Sequence, residues 1–256
     1  MNLIDWNQKQ NFVRRGNEFV ALLQKRIVIL DGAMGTRIQR YKLTEEKYIG
    51  SLKSFPRKEN SKVSIKKQKG NNDLLVLSQP ELIEEIHYDY LEAGADLIET
   101  NTFNATAIAQ ADFGCEGLVS QMNVAAARIA NQAVFRFEKK YPQRRGFVAG
   151  SIGPTNRTAS MSPDVNNPSF RNITFDELVE AYKEQVHGLM EGGVDLLLPE
   201  TTFDTLNLKA AIFAIEEVFQ LRGERVPLVL CVSMAVIMLR AFAGQTLEAF
   251  WWSVRH

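Results

Sequence analysis

Three acidic residues each stand where a short apolar run ends: Asp31 after Ile27-Val-Ile-Leu30, Glu99 after Ala95-Asp-Leu-Ile98, and Glu200 after Val194-Asp-Leu-Leu-Leu-Pro199. A short apolar run bounded by turn residues reads as a buried parallel strand, and the residue closing it lies at the strand's carboxyl end. In α/β folds ligands bind at that edge. Asp31 leads into Gly32-Ala-Met-Gly35, whose glycines permit a tight turn and a close approach of backbone to a bound molecule. With Asn101, Thr102, Thr155, Asn156, Thr201 and Thr202 beside them, the acids make a candidate site of carboxylates and neutral hydrogen-bonding groups. Such a set can ligate a hard cation, act as general acid and base, or hold an ammonium group. Residue types alone do not choose among these.

The elements that must position these acids follow from local signals. Ser78-Gln-Pro-Glu81 has the form of a capping box with an early proline, and it starts a helix that Gly94 stops. The alanine-rich stretch from Ala105 to Lys139 suits one or two helices interrupted near Gly114 and Gly117. Gly146 to Ile152 reads as a strand opening into Gly153-Pro-Thr-Asn-Arg157. The connection from Thr158 to Asn172 is polar and aperiodic, a candidate lid or substrate loop. Thr174-Phe-Asp-Glu177 repeats the capping box ahead of a helix ending at Gly192-Gly193. A further helix runs from Asp204 to Leu221, a fifth strand from Val226 to Val232, and Gln245 to Arg255 starts another helical unit. His87 has no second His or Cys at metal spacing and reads as a surface or capped histidine.

An internal echo fixes the architecture: Glu92-Ala-Gly-Ala-Asp-Leu-Ile leads to Glu99-Thr-Asn-Thr-Phe, and Glu191-Gly-Gly-Val-Asp-Leu-Leu leads to Glu200-Thr-Thr-Phe. Helix end, glycine, strand and terminal acid recur in each copy. Such repeated units predict a parallel sheet of the α/β, (βα)8 TIM-barrel type, incomplete, with about five to six βα units present where closure takes eight. Residues 1–25 are expected to form an N-terminal helical extension covering the closed end, and residues 26–256 a partial barrel domain.

At 256 residues with 45% hydrophobic content the chain can bury a large core. Thirty basic side chains balance 30 acidic ones, so no overall field draws in nucleic acid or an anionic membrane. The run Ser51 to Gly70 carries seven Lys or Arg against Glu59 alone, but Phe55 is its only aromatic, which suits a solvated loop. Cys115 and Cys231 lack metal-ligand spacing, and Met1-Asn-Leu-Ile-Asp5 lacks a secretory pattern, so a reduced, cytoplasmic protein is expected. The apolar stretch Leu228 to Leu239 is too short to span a bilayer and reads as a buried strand with its turn. No Gly-Lys-Ser or Gly-Lys-Thr phosphate cradle is present, and Gly32-Ala-Met-Gly35 lacks dinucleotide spacing.

Six motifs in order carry a resemblance: Asp31-Gly-Ala-Met-Gly-Thr36, Lys69-Gly-Asn-Asn-Asp73, Glu99-Thr-Asn-Thr-Phe103, Gly153-Pro-Thr-Asn156, Arg171-Asn-Ile-Thr-Phe-Asp176 and Glu200-Thr-Thr-Phe-Asp-Thr205. Together they resemble the homocysteine-binding domain of cobalamin-dependent methionine synthase. The likeness covers about residues 26–232, with Gly244-Gln-Thr246 and the last residues again in step. The resemblance implies an α/β barrel that binds homocysteine and transfers a methyl group to its zinc-bound thiolate, giving methionine. The methyl group arrives from methylcobalamin, which is recharged by methyltetrahydrofolate on further domains. It also implies that Asp31 and Glu200 hold the homocysteine amine, with Gly32, Ala33 and Met34 close to the ligand. Glu99, Asn101, Thr155, Asn156 and Thr201 complete the candidate substrate-binding set.

Two departures qualify that expectation. The family's zinc is held by three cysteines on later strands, one just past the end of this sequence and a vicinal pair near the domain's end, and neither Cys115 nor Cys231 matches a ligand position. Ser233 to Ala243 is apolar, with Met234-Ala-Val-Ile-Met-Leu239 where the family has polar residues. The expectation is therefore a truncated gene product, or a fragment of a longer protein, that is inactive alone and carries no metal ligands or catalytic residue of its own. Two alternatives stay open: a cobalamin-independent homocysteine S-methyltransferase using betaine or S-methylmethionine, and a non-catalytic relic or binding module.

Overall fold

Strand residues with period two and helix stripes with period 3.6 sort this chain into a parallel sheet with helices packed on one face. The computed structural model describes residues 12–13, 15–50, 66–235, 240–241 and 244–255. The stretch Met1–Asp5, most of the basic run with Phe55, and residues 236–239 of the apolar stretch lie outside the described residues. In chain order the elements open with α1 (Gly16–Leu23), α2 (Met34–Arg40), α3 (Glu45–Ile49), α4 (Leu75–Ser78) and α5 (Pro80–Ala93). They continue with β1 (Leu97–Glu99), α6 (Ala107–Gln110), α7 (Val119–Lys140), β2 (Phe147–Ile152), α8 (Phe175–Gly192) and β3 (Leu196–Pro199). The chain ends in α9 (Thr205–Arg222), the short antiparallel pair β4 (Met234–Ala235) and β5 (Arg240–Ala241), and α10 (Leu247–Val254).

The sheet is parallel in the order β1-β2-β3, with Glu99 level with Ala149 and Ser151 level with Leu198. Isolated parallel bridges extend it on both sides, Leu30 to Leu97 and Leu228 to Leu197, so five segments run side by side. On one face Ile98, Val148, Ile152 and Leu197 bury against α5, α7, α8 and α9. On the other, Leu97, Phe147, Ala149, Leu196 and Leu198 form a second cluster, closed by Phe19 of α1 edge-on to Phe147 at 5.5 Å. Alpha7 and α8 cross closely because a Cβ at Gly192 would stand 2.5 Å from that of Ala127, a distance only glycine tolerates. Among the described residues no helix is long and apolar enough to cross a membrane.

Several local expectations are corrected. Ile27–Leu30 is not a fully buried strand: Ile27, Ile29 and Leu30 are 82%, 51% and 44% exposed. The run pairs with β1 on one side only, and among the described residues nothing pairs with its other edge. The fifth segment is likewise half-buried, with Val226 inside and Cys231 exposed. Ser78 does not cap α5; it ends α4 and its hydroxyl turns back to the Leu74 carbonyl at 3.5 Å, while Gln79 precedes Pro80 at the helix start. His87 is no surface residue, being 0% exposed on the inner face of α5 with neither ring nitrogen hydrogen-bonded. The second capping box forms as expected, Glu177 N donating to Thr174 Oγ1 at 3.2 Å and Thr174 N to Glu177 Oε2 at 2.8 Å.

Candidate functional site

Parallel strands deliver their carboxyl-end residues to one edge, and here three of those residues are acids. Asp31 is set by its backbone N–H, which donates to the Leu97 carbonyl at 2.9 Å, and its Oδ2 accepts from Glu99 N at 3.1 Å. Glu200 follows β3 and its N–H donates to the Ile152 carbonyl at 3.0 Å. Its Oε1 accepts from the buried Ser151 hydroxyl at 2.5 Å. The three acids share a cavity of about 420 Å³ that Gly32, Ala33, Met34 and Asn101 also line. Gly32 keeps the turn slim, because a Cβ there would stand 3.2 Å from the Tyr90 ring.

The electrostatics of this mouth are one-sided, since among the described residues no Lys, Arg or His lines it. Burial, with the Glu99 and Glu200 charges behind it, pushes the Asp31 carboxyl up to about 8. Burial and then the Glu200 charge push Glu99 up to about 7. Asp31 Oδ1 is buried without a hydrogen-bond partner. A cluster of partly desolvated carboxylates with an unused acceptor is stabilised by an incoming cation with N–H donors.

Two residues of the mouth come from the Lys69-Gly-Asn-Asn-Asp73 motif, whose spacing alone does not tie it to the strand ends. Asn72 and Asp73 line the cavity. They are held there by a buried amide network: Asn71 Nδ2 donates to Gln110 Oε1 at 2.8 Å, Gln110 Nε2 returns a bond to Asn71 Oδ1 at 3.1 Å, and Gln68 Nε2 reaches the Phe113 carbonyl at 2.8 Å. Asn101 Nδ2 donates to the Asn72 carbonyl at 2.7 Å, joining that loop to the end of β1. Asp73 Oδ1 accepts from Asn104 N at 2.8 Å, and burial pushes its carboxyl up to about 6.

The remaining candidates stand apart from the cavity. Thr155 is buried and donates to the Arg157 carbonyl at 2.6 Å while accepting from Asn207, so it braces the loop after β2. Asn156 is exposed and donates to Asp112 at 2.7 Å. Thr201 takes a left-handed backbone, φ 52°, with its hydroxyl 3.3 Å from Glu200 Oε2. None of residues 158–172 lines the mouth; Ser160 and Ala159 instead tie that loop to Asp204 and Asn207 at the start of α9.

A zinc ion held by thiolates does not fit these residues. Among the described residues no group of three or more His, Cys, Asp or Glu can hold a metal ion. Cys115 packs with Leu74, Leu75 and Ile83 and donates to Gln68 Oε1 at 3.3 Å, whereas Cys231 lies exposed on the fifth segment. Two thiols in separate parts of the fold do not make the tetrahedral sulfur-rich set that zinc takes.

The parallel sheet, the helices on one face and the ligand edge at the strands' carboxyl ends define an α/β protein of the TIM-barrel type with an acid-lined mouth. The chain belongs to the homocysteine S-methyltransferase family, whose pattern matches residues 28–256. Its fold is similar to that of the homocysteine methyltransferase MmuM from Escherichia coli. The metallated form matches with a TM-score of 0.65 at 22% identity, over 92% of this chain and 73% of that one. The oxidized form matches with a TM-score of 0.63 at 22% identity, over 90% and 70%.

Proposed function

We propose that the mouth binds homocysteine through its ammonium group, and that the chain serves methyl transfer to the homocysteine sulfur, giving methionine. The observation that carries this reading is the convergence of Asp31, Glu99 and Glu200 on one cavity in whose lining, among the described residues, no cationic side chain stands. Burial and the neighbouring charges raise Asp31 to about 8 and Glu99 to about 7, so near neutral pH the pair holds part of its protons until a cation arrives. An ammonium group replaces them, so binding releases protons to solvent. Asn101 and the Asn72–Asp73 turn then bound the amino-acid end of the ligand.

Methyl transfer needs a thiolate, which zinc supplies in the resembled family; among the described residues no set of ligands fits that metal. For the methyl donor, the Lys69-Gly-Asn-Asn-Asp73 motif and the long loop before Arg171 favour methylcobalamin, with methyltetrahydrofolate- and cobalamin-binding domains as partners. The family pattern fits a second reading equally well, a cobalamin-independent homocysteine S-methyltransferase using S-methylmethionine or betaine.

Titration calorimetry with homocysteine and with its des-amino analogue 4-mercaptobutyrate tests the binding. Homocysteine is expected to bind at least about tenfold more tightly, with a heat that depends on the buffer's ionisation enthalpy. Equal affinities for the two compounds would sink the ammonium reading. Offering methylcobalamin, S-methylmethionine and betaine in turn then separates the donors.

A further inference from the structure

Glu200 is a flexible side chain at the rim of an open cavity, and holding its carboxylate in one orientation costs side-chain entropy unless a partner fixes it. The partner is Ser151. This residue lies in the central strand β2, is 1% exposed, and stands level with Leu198 two residues before Glu200. Its backbone is clamped on one side: the Ser151 N–H donates to Thr100 Oγ1 at 3.0 Å, and the Ser151 carbonyl accepts from Thr102 Oγ1 at 2.7 Å. The two threonine hydroxyls are themselves 2.7 Å apart. Gln185 Nε2 adds a longer contact to the same carbonyl at 3.4 Å. So held, Ser151 directs its hydroxyl to Glu200 Oε1 at 2.5 Å. Of the four acids lining the mouth, Glu200 alone among the described residues is met by a hydroxyl donor from another strand; Asp31 accepts a backbone N–H on Oδ2 and Asp73 one on Oδ1.

We propose that Ser151 is a positioning residue for the substrate ammonium: its hydroxyl occupies Glu200 Oε1 and turns the carboxylate so that Oε2, which accepts only the longer Thr201 hydroxyl contact at 3.3 Å, receives the cation on its second lone pair. The Thr100–Thr102–Ser151 hydroxyls form the scaffold of that orientation. This rests on the ammonium reading given above, and it assigns a role that no acid in the mouth performs.

The test is a double-mutant cycle by titration calorimetry on the full chain, using wild type, Ser151→Ala, Glu200→Gln and the double variant against homocysteine and 4-mercaptobutyrate. Ser151→Ala should weaken homocysteine about tenfold, the loss expected for a hydrogen bond to a charged group, and leave 4-mercaptobutyrate unchanged. In the Glu200→Gln background it should add nothing, and Ser151→Thr, which keeps the hydroxyl, should restore most of the affinity. Wild type showing no preference for homocysteine overturns the ammonium reading and this assignment together. Wild type with a preference that Ser151→Ala retains, or a loss that persists undiminished beside Glu200→Gln, overturns the positioning role alone. Equal weakening of both ligands also overturns it, since that is the mark of a general structural loss.

Discussion

The mouth and the helix layer each bury titratable groups short of partners, and they differ in what surrounds them. At the mouth Asp31, Glu99 and Glu200 face one open cavity, their charges oppose one another, and a cation relieves all three. His87 is alone on the inner face of α5 beside Ile83, Ile86 and Leu91, with both ring nitrogens unpartnered and burial pushing it down to about 4. An unsatisfied buried group is thus a candidate ligand site in one place and a plain stability cost in the other. Company and access decide which.

The two regions should drive stability in opposite directions with pH. A carboxyl whose folded pKa is raised binds more protons in the native state, so the mouth loses stability as pH rises from about 4 to 8. The His87 ring, depressed from 6.5 to about 4, binds more protons when unfolded, so its contribution is lost as pH falls across that window. Asp31→Asn is expected to have the largest effect, removing about 4 kcal/mol of alkaline-side loss, a figure set below the full linkage value because the cavity admits water. It should also abolish the preference for homocysteine. Urea midpoints measured from pH 4 to 9 check this, and an unchanged slope would remove Asp31 from the set of strained acids. His87→Leu comes next, flattening the acid side by about 3 kcal/mol over pH 4 to 6.5. If the acid slope survived that substitution, His87 would not be buried neutral.

The sequence carried the acids well because each closes a strand whose apolar run is short, local and repeated. Glu99 and Glu200 follow the same helix, glycine and strand pattern. Ser151 was invisible by comparison: within Phe147–Ile152 a serine is only a small residue, and its contact with Glu200 exists through the register of β2 against β3. Thr155 and Asn156 followed a strand as Glu99 and Glu200 do, but the turn at Gly153–Pro154 sends one under Asn207 and the other out to Asp112. Burial of the flanking segments was equally beyond local reading. Ile27–Leu30 has the composition of an inner strand, and its exposure goes with its place at the edge of the described sheet, where it pairs with β1 alone.

The two cysteines give the mildest probe of the same contrast, because neither needs to be altered. Cys231 lies exposed on the mouth side of the fifth segment, where its N–H donates to the Pro199 carbonyl at 2.9 Å, next to Glu200. Cys115 is 5% exposed, and burial followed by the Glu116 charge pushes its thiol up to about 11. At pH 8 a thiol of that pKa is about one part in a thousand thiolate, and the thiolate is the reactive form. A disulfide reagent that releases a coloured thiol should therefore titrate one cysteine promptly and the second only as fast as the helix layer opens. Urea should accelerate the second phase and leave the first unchanged. Two prompt thiols per chain would mean that the layer around Cys115 and its Gln68 contact is as open as the mouth, and the division between the two regions would fail.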